Sequence, residues 1–329
     1  MANGDRIVHL VPDRVFRFSI IDDIEQPSGG SNLGAAKMPW IFEEKQLSGA
    51  EIGLTLFRRI ASIRSQIASR ITWHAHEDFE ILLLLDGSTS YEFADGSTVE
   101  LSGGHFMVIP PGVVHRGHHD VRRPVILTGM AFTPRAKLAS RNTPFDASDL
   151  KWLETRLLAS PTQPHRMSSE LRSLTESFAN RFPKFDLTNR SEVLSCRLTV
   201  CGILHEAAKQ LASVDVFEPQ ELVRSTITFM RSHIDQTVSI EKLAKMGRCS
   251  RAKLFAAFKD STGMTPVHYW TLLRIDHAQE MLINTDRSTT EVAMRCGFCT
   301  SQYFSTVFRK FAGVTPSDFR QARRQASPQ

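Results

Sequence analysis

The 329-residue chain has no apolar run approaching the roughly 20 residues that span a bilayer, so no transmembrane helix is expected. Its first stretch, Met1 to Asp13, is polar and charged and holds no signal-peptide core. Cysteine is scarce: there are five, an odd number, which suits a reducing cytosol better than a disulfide framework. A cytoplasmic location is therefore expected. Cys296-x-x-Cys299 has the spacing of a redox or zinc pair, but no second pair of ligands lies near it in sequence. Cys296 is better read as a small apolar residue in a turn. Net charge is also small, at +5.

That charge is unevenly placed. From Glu218 onward there are 16 Lys and Arg against 10 Asp and Glu, whereas Met1 to Phe217 carries 24 against 25. All the positive excess falls on the last third of the chain, as an electrostatic footprint on phosphate requires. The same third contains one pattern twice. From Leu254 it reads L-x-x-x-F-K-x-x-x-G-x-x-P, with Phe258, Lys259, Gly263 and Pro266 at the fixed points. From Phe304 it reads F-x-x-x-F-R-x-x-x-G-x-x-P, with Phe308, Arg309, Gly313 and Pro316. A repeat of this period denotes two copies of one supersecondary unit.

In each copy a polar residue (Ser239; Ser288 or Thr289) opens a helix with a small apolar face, Leu243-Ala244 or Val292-Ala293. A tight turn follows, then a second helix capped by Ser250 or Thr300. Gly263 and Gly313 suit helix ends, and the prolines open the next helices. Two short helices joined by a tight turn, the second one basic, read as helix-turn-helix. Between the copies, Pro266 to Asn284 is periodic enough for one rigid helix of roughly 28 Å. Such a spacer suits two recognition helices about one duplex turn, roughly 34 Å, apart.

These residues carry a resemblance. Leu243-Ala244, Ser250-x-x-x-Leu254-x-x-x-Phe258-Lys259, Gly263-x-x-Pro266, Ala293-x-x-Cys296-Gly297-Phe298, Tyr303-Phe304 and Phe308-Arg309-x-x-x-Gly313-x-x-Pro316 resemble the DNA-binding domain of the AraC/XylS family of transcription regulators. One position departs from it: Arg248 stands in the first turn where Gly297 stands in the second. A side chain at positive φ is strained, so a distorted or differently shaped first turn is expected.

Ahead of this region, from about Glu51 to Phe132, short apolar runs such as Ile81 to Leu85 and Phe106 to Ile109 alternate with Gly- and Pro-rich turns. That spacing suggests a sandwich or barrel. Within it stand His74-x-His76-x-x-x-Glu80 and, later, Gly104 and Pro110-x-Gly112-x-x-His115. Positions 74, 76 and 80 share parity, so in an extended chain they face one side, with Leu82 and Leu84. Pro110-Pro111-Gly112 turns the chain so that His115 can return to the same cavity. Three imidazoles and a carboxylate make a metal-ligand set. The two motifs resemble those of the cupin family, with Ala68 in place of a usual glycine and His119 in place of a closing asparagine.

The resemblance implies a multidomain chain: an N-terminal all-β cupin-like barrel, a helical linker, and a C-terminal all-α double helix-turn-helix. The expected boundaries are a weakly structured segment 1–39, an effector-binding domain 40–146, a helical linker and dimerisation region 147–217, and a DNA-binding domain 218–325. Helices are expected from Asp149 to Leu158, from Ser168 to Phe182, and from Thr188-Asn189 to about Leu211, with Ala212 to Pro219 as a hinge. The third helix carries an apolar stripe (Val193, Leu194, Leu198, Cys201, Leu204, Ala208, Leu211) that serves either the core or a subunit contact.

The function expected is sequence-specific regulation of transcription by a small-molecule effector, with a sugar or related metabolite as the class the family suggests, and no enzymatic activity. The alternative is a metal-dependent cupin enzyme fused to a DNA-binding domain; a thiol-based redox sensor is a third class. His74, His76, Glu80 and His115 are the expected ligand-binding residues, and the same four are the ligands of a metal ion if one is present. An organic pocket, a metal site and a structural cluster all remain open. The fused DNA-binding domain favours a sensor without metal, so no cofactor is assigned. Base contacts are expected from Ser301, Gln302, Ser305 and Thr306. In the first copy the matching set is Arg251, Ala252, Lys253, Phe255 and Ala256, which either meets thymine methyls or works mainly through Arg251 and Lys253 on phosphate. Lys259, Arg309 and Lys310 suit phosphate. The implied partners are double-stranded DNA, the effector, a second copy in a homodimer, and RNA polymerase if the protein activates; no membrane is implied.

Overall fold

The structure, a computed structural model, describes residues 42–159, 161–211, 221–236 and 239–326. The expected N-terminal segment and the hinge from Ala212 to Pro219 fall outside these residues.

The β domain follows from alternation. Strands β1 (Phe42–Leu47), β2 (Phe57–Ser65), β9 (Val125–Phe132), β4 (Phe79–Phe93), β6 (His105–Ile109) and β10 (His165–Arg166) lie in that order as antiparallel neighbours. β5 (Thr98–Ser102) and β7 (His115–Gly117) pair with the second half of β4, and the short β3 (Ser69–Arg70) and β8 (Val121–Arg122) pair with each other. β4 thus serves two sets of neighbours. A register shift between Leu84 and Asp86 separates its halves.

The two faces of the sheet bury different clusters. Leu82, Leu84, Tyr91, Phe93, Leu101, Met107 and Ile109 fill one side. Ile81, Leu83, Phe106, Val108 and Phe132 face the other way and pack with the linker helices α1 (Ala147–Leu157), α2 (Ser169–Arg181) and α3 (Arg190–Gln210). The expected stripe on α3 divides accordingly. Cys201, Leu204, Ala208 and Leu211 are buried, while Leu194 and Leu198 are 54% and 60% exposed.

The C-terminal part is helical: α4 (Glu221–Ser232), α5 (Ile240–Met246), α6 (Arg251–Thr262), α7 (Pro266–Asn284), α8 (Thr289–Arg295), α9 (Ser301–Ala312) and α10 (Pro316–Ala326). Each short helix starts on a hydroxyl that accepts a main-chain N–H: Ser239 from Lys242, Ser250 from Lys253, Ser288 from Glu291 and Thr300 from Tyr303. α6 and α9 both end on a left-handed glycine, Gly263 and Gly313. One apolar cluster runs through both copies, joining Leu254 and Phe258 to Phe304 and Phe308 through α7.

The first turn corrects the sequence expectation. Arg248 has φ 48° and Gly297 φ 72°, so both occupy the left-handed region. Cys249 N–H donates to the Ala244 carbonyl at 3.0 Å, and Phe298 N–H donates to that of Ala293 at the same distance. The first turn is not distorted; the arginine backbone takes the glycine conformation, because the packing of α5 on α6 fixes the turn. No helix among the described residues is long and apolar enough to cross a membrane.

Candidate effector site and nucleic-acid interface

His74, His76, Glu80 and His115 come together, with one donor atom from each lying within 4.8 Å of the others. The route differs from the parity argument. Only Glu80 lies on β4; His74 and His76 precede it on a segment that bends at Glu77 and Asp78. Main-chain bonds supply the alignment instead. His74 and His115 exchange N–H···O bonds of 3.0 and 2.9 Å, an isolated bridge that pins the segment to β7. Gly112 N–H, in the Pro-Pro-Gly turn, donates to the His76 carbonyl at 2.8 Å. Glu80 and His115 are buried, and His74 and His76 are half-buried at the mouth.

Each imidazole is held by a carbonyl. Nδ1 of His74 lies 2.8 Å from the Thr72 oxygen, that of His76 2.7 Å from Asp78 and that of His115 2.9 Å from Val113. A carbonyl only accepts, so each Nδ1 carries a proton, and the protonated His76 ring donates through Nε2 to Glu80 Oε2. Glu80 Oε2 stands 3.3 Å from His76 Nε2 and 3.5 Å from His115 Nε2. At that separation His115 Nε2, wholly buried, has no hydrogen-bond partner.

Acceptors facing acceptors call for a cation or a proton among them. Burial, the largest influence on Glu80, pushes its carboxyl up, but His115, His76 and the Arg59 charge together hold it well below the usual carboxylate range. Burial lowers His76, yet its contacts with Glu80 outweigh that and raise it; burial and the neighbouring His115 lower His74. The residues also fit a divalent ion. Imidazole and carboxylate donors suit zinc, iron, nickel or manganese, and carbonyl-held rings are the usual outer support of metal-binding histidines. When bound, such an ion supplies positive charge and coordination positions for oxygen donors.

Arg59 was not singled out in the sequence, yet it donates to Glu80 Oε1 at 2.7 Å. Register explains the reach: Arg59 on β2 and Glu80 on β4 both stand opposite Ala131 on β9, whose small side chain leaves the space between them open. The signal was present as an arginine sharing parity with the interior residue Ile63. Apart from this cluster, a cavity of about 230 Å³ lies between α2 and α3, lined by residues such as Phe178, Arg181, Phe185 and Cys196.

The expected DNA-facing residues occupy matching places in the two copies. Arg251, Ala252, Lys253 and Ala256 of α6 are exposed, as are Gln302 and Thr306 of α9; Phe255, Ser301 and Ser305 are half-buried. Leu254, Phe258, Phe304 and Phe308 turn inward. Arg251 pairs with Glu241 at 2.8 Å on an open surface. Arg309 is exposed, Lys310 is half-buried and Lys259 is paired with Asp86 of the barrel. Tyr303, 60% exposed beside Gln302, is a further candidate contact; its position on the polar face of α9 marked it. Of the pair Cys296 and Cys299, the second is exposed and the first is not. Cys296 is buried near Met281, and burial pushes its thiol up to about 12.

Comparison with known proteins matches two regions of the chain. A family described as an AraC-like ligand binding domain matches residues 60–208, and one described as a helix-turn-helix domain matches residues 243–322. The chain belongs to the AraC family of transcription regulators. This is a family of regulators and not of enzymes, so the fused-enzyme alternative falls away. The MmsAB operon regulatory protein of Pseudomonas aeruginosa is 25% identical over 268 residues, covering 78% of this chain and 79% of the relative. The HTH-type transcriptional activator RhaR of Enterobacter sp. (strain 638) is 40% identical over 110 residues, 33% of this chain and only 39% of that protein. A transcriptional regulator from Chromobacterium violaceum, with an AraC-type DNA-binding domain, is 28% identical over 33% of this chain and 96% of its own, with a TM-score of 0.32.

Proposed function

We propose that this AraC-family protein is an effector-responsive, sequence-specific regulator whose barrel receives a small hydroxylated metabolite, of sugar-like class, at His74, His76, Glu80 and His115. The recognition helices α6 and α9 enter successive major grooves; Gln302, Ser301, Ser305 and Thr306 meet bases, and Lys253, Arg309 and Lys310 meet phosphate. The observation behind this is the matched exposure of the first turns of α6 and α9, while their apolar faces share one core. The half-open cluster of inward-facing acceptors supports a ligand rich in hydroxyl donors. The exposed Leu194 and Leu198 on α3 support a homodimer. Contact with RNA polymerase follows if the protein activates. The test is a metabolite melting screen on the full chain, followed by operator titration with each hit. A hit should raise the melting temperature and change operator affinity, and His76→Ala should lose both responses while binding DNA as before. Wild-type responses in that variant reject this effector site.

A second reading has its own observation: three carbonyl-held imidazoles gather with Glu80 within 4.8 Å, and the buried His115 Nε2 among them has no hydrogen-bond partner. Under this reading a divalent ion is part of the effector site. Stoichiometric metal in protein purified without an affinity tag, and loss of the effector response on chelation, would favour it. Metal-free protein with an intact response leaves the organic pocket alone.

A further inference from the structure

The barrel touches the far ends of both recognition helices. At the end of α6, Lys259 pairs with Asp86 of β4 and Asp260 pairs with Arg166 of β10. Beyond them Gly263 meets Gly103 backbone to backbone: a Cβ on Gly263 would lie 2.2 Å from the Gly103 Cα. At the end of α9, the Lys310 carbonyl, one of the terminal oxygens left over by the helix, accepts a 3.0 Å bond from Ala68 N–H. Arg123 completes the contact by pairing with Asp276 on α7.

Lys259 and Arg309 hold the same place in the two copies. Arg309 lies open on the surface, whereas Lys259 is neutralised by a carboxylate of the other domain. Both members of the Asp86–Lys259 pair are about half exposed, so water screens the pair and it exchanges partners at little cost. A phosphate oxygen offers Lys259 the same chemistry as the Asp86 carboxylate.

We propose that this face of the barrel is an intramolecular competitor for DNA, with Asp86 standing where a backbone phosphate would stand on Lys259. The proposal rests on the DNA-binding reading above. In the docked state the first copy has one phosphate contact fewer than the second; release of Asp86 restores it.

The test uses the full chain and a fluorescent duplex titrated over a series of salt concentrations. Asp86→Asn should bind more tightly than wild type, by up to about ten-fold near 0.1 M salt, with a salt slope steeper by about 0.9. Asp95→Asn, at the exposed β4–β5 tip, removes the same charge away from the contact and should change neither. In a Lys259→Ala background the Asp86→Asn gain should vanish. Equal behaviour of Asp86→Asn and Asp95→Asn, or a gain that survives Lys259→Ala, overturns the proposal. Absence of salt-dependent binding by wild type rejects the DNA-binding reading itself, and this inference with it.

Discussion

Replacing Glu80 by Gln keeps the shape of the cluster and removes its charge. In the native protein that carboxylate answers Arg59 at 2.7 Å and stands beside His76 and His115, with only 7% of its side chain exposed. Breaking a buried pair by removing one partner costs about 3–5 kcal/mol. Arg59 keeps 29% exposure and recovers some hydration, which brings the expected cost to about 2–3 kcal/mol. For a domain of this size that corresponds to a fall of about 5–10 °C in melting temperature. The pH dependence has two limbs. Glu80 is held below its ordinary 4.5, so its contribution is present above that value and is lost as pH falls through the folded-state value. His76 is raised above 6.5, so its share is complete below 6.5 and is lost as pH rises through its folded value. The gap between wild type and Glu80→Gln should therefore be widest between about pH 4.5 and 6.5 and close on the acid side, where wild-type Glu80 is itself protonated. Differential scanning fluorimetry across pH, with chelator present to keep stray metal out, measures it. A gap of less than about one degree at pH 6 would refute the reasoning.

Three further outcomes are expected. Gln302→Ala should relax preference at one base pair at a cost of about 1–3 kcal/mol, and an operator substitution scan should show more information beneath α9 than beneath α6, whose exposed positions include Ala252 and Ala256. A thiol reagent at pH 8 should label Cys299 in the native protein and leave Cys296 untouched until unfolding, because burial pushes the Cys296 thiol up to about 12; fast labelling of Cys296 would revive a redox role. Arg248→Gly should stabilise the protein by about 1 kcal/mol in denaturant titration, since glycine takes the φ 48° backbone without the side-chain penalty; destabilisation would show that the arginine side chain contributes more than its backbone costs.

What could be read from the sequence was what depends on local chemistry. Helix starts at Ser250, Ser288 and Thr300, and helix ends at Gly263 and Gly313, follow from caps that act within a single turn. The meeting of His74, His76, Glu80 and His115 was also legible, but for an incomplete reason. Parity holds only along an unbroken extended chain, and a bend at Glu77 and Asp78 interrupts it; the His74–His115 bridge, a long-range pairing, restores the convergence. The same limit hid Arg59, whose partner lies two strands away across Ala131. It also hid every contact between barrel and helices, because an exposed Asp86 or Arg166 carries no pattern that names its partner.

The register shift in β4 has a consequence for how the two ends of that strand communicate. Asp86 has the parity of Glu80, Leu82 and Leu84, and in a regular strand it would point into the barrel. The extra residue between Leu84 and Asp86 sets Leu84 opposite Leu127 but Asp86 opposite Ile126, which turns Asp86 outward. One continuous segment therefore carries an inward carboxylate at the histidine cluster and an outward carboxylate on Lys259, six residues and about 20 Å apart. Between them Ile81 to Leu85 are buried on both faces and paired to β6 and β9, so the bulge is the one irregular step in an otherwise clamped connection between the two carboxylates.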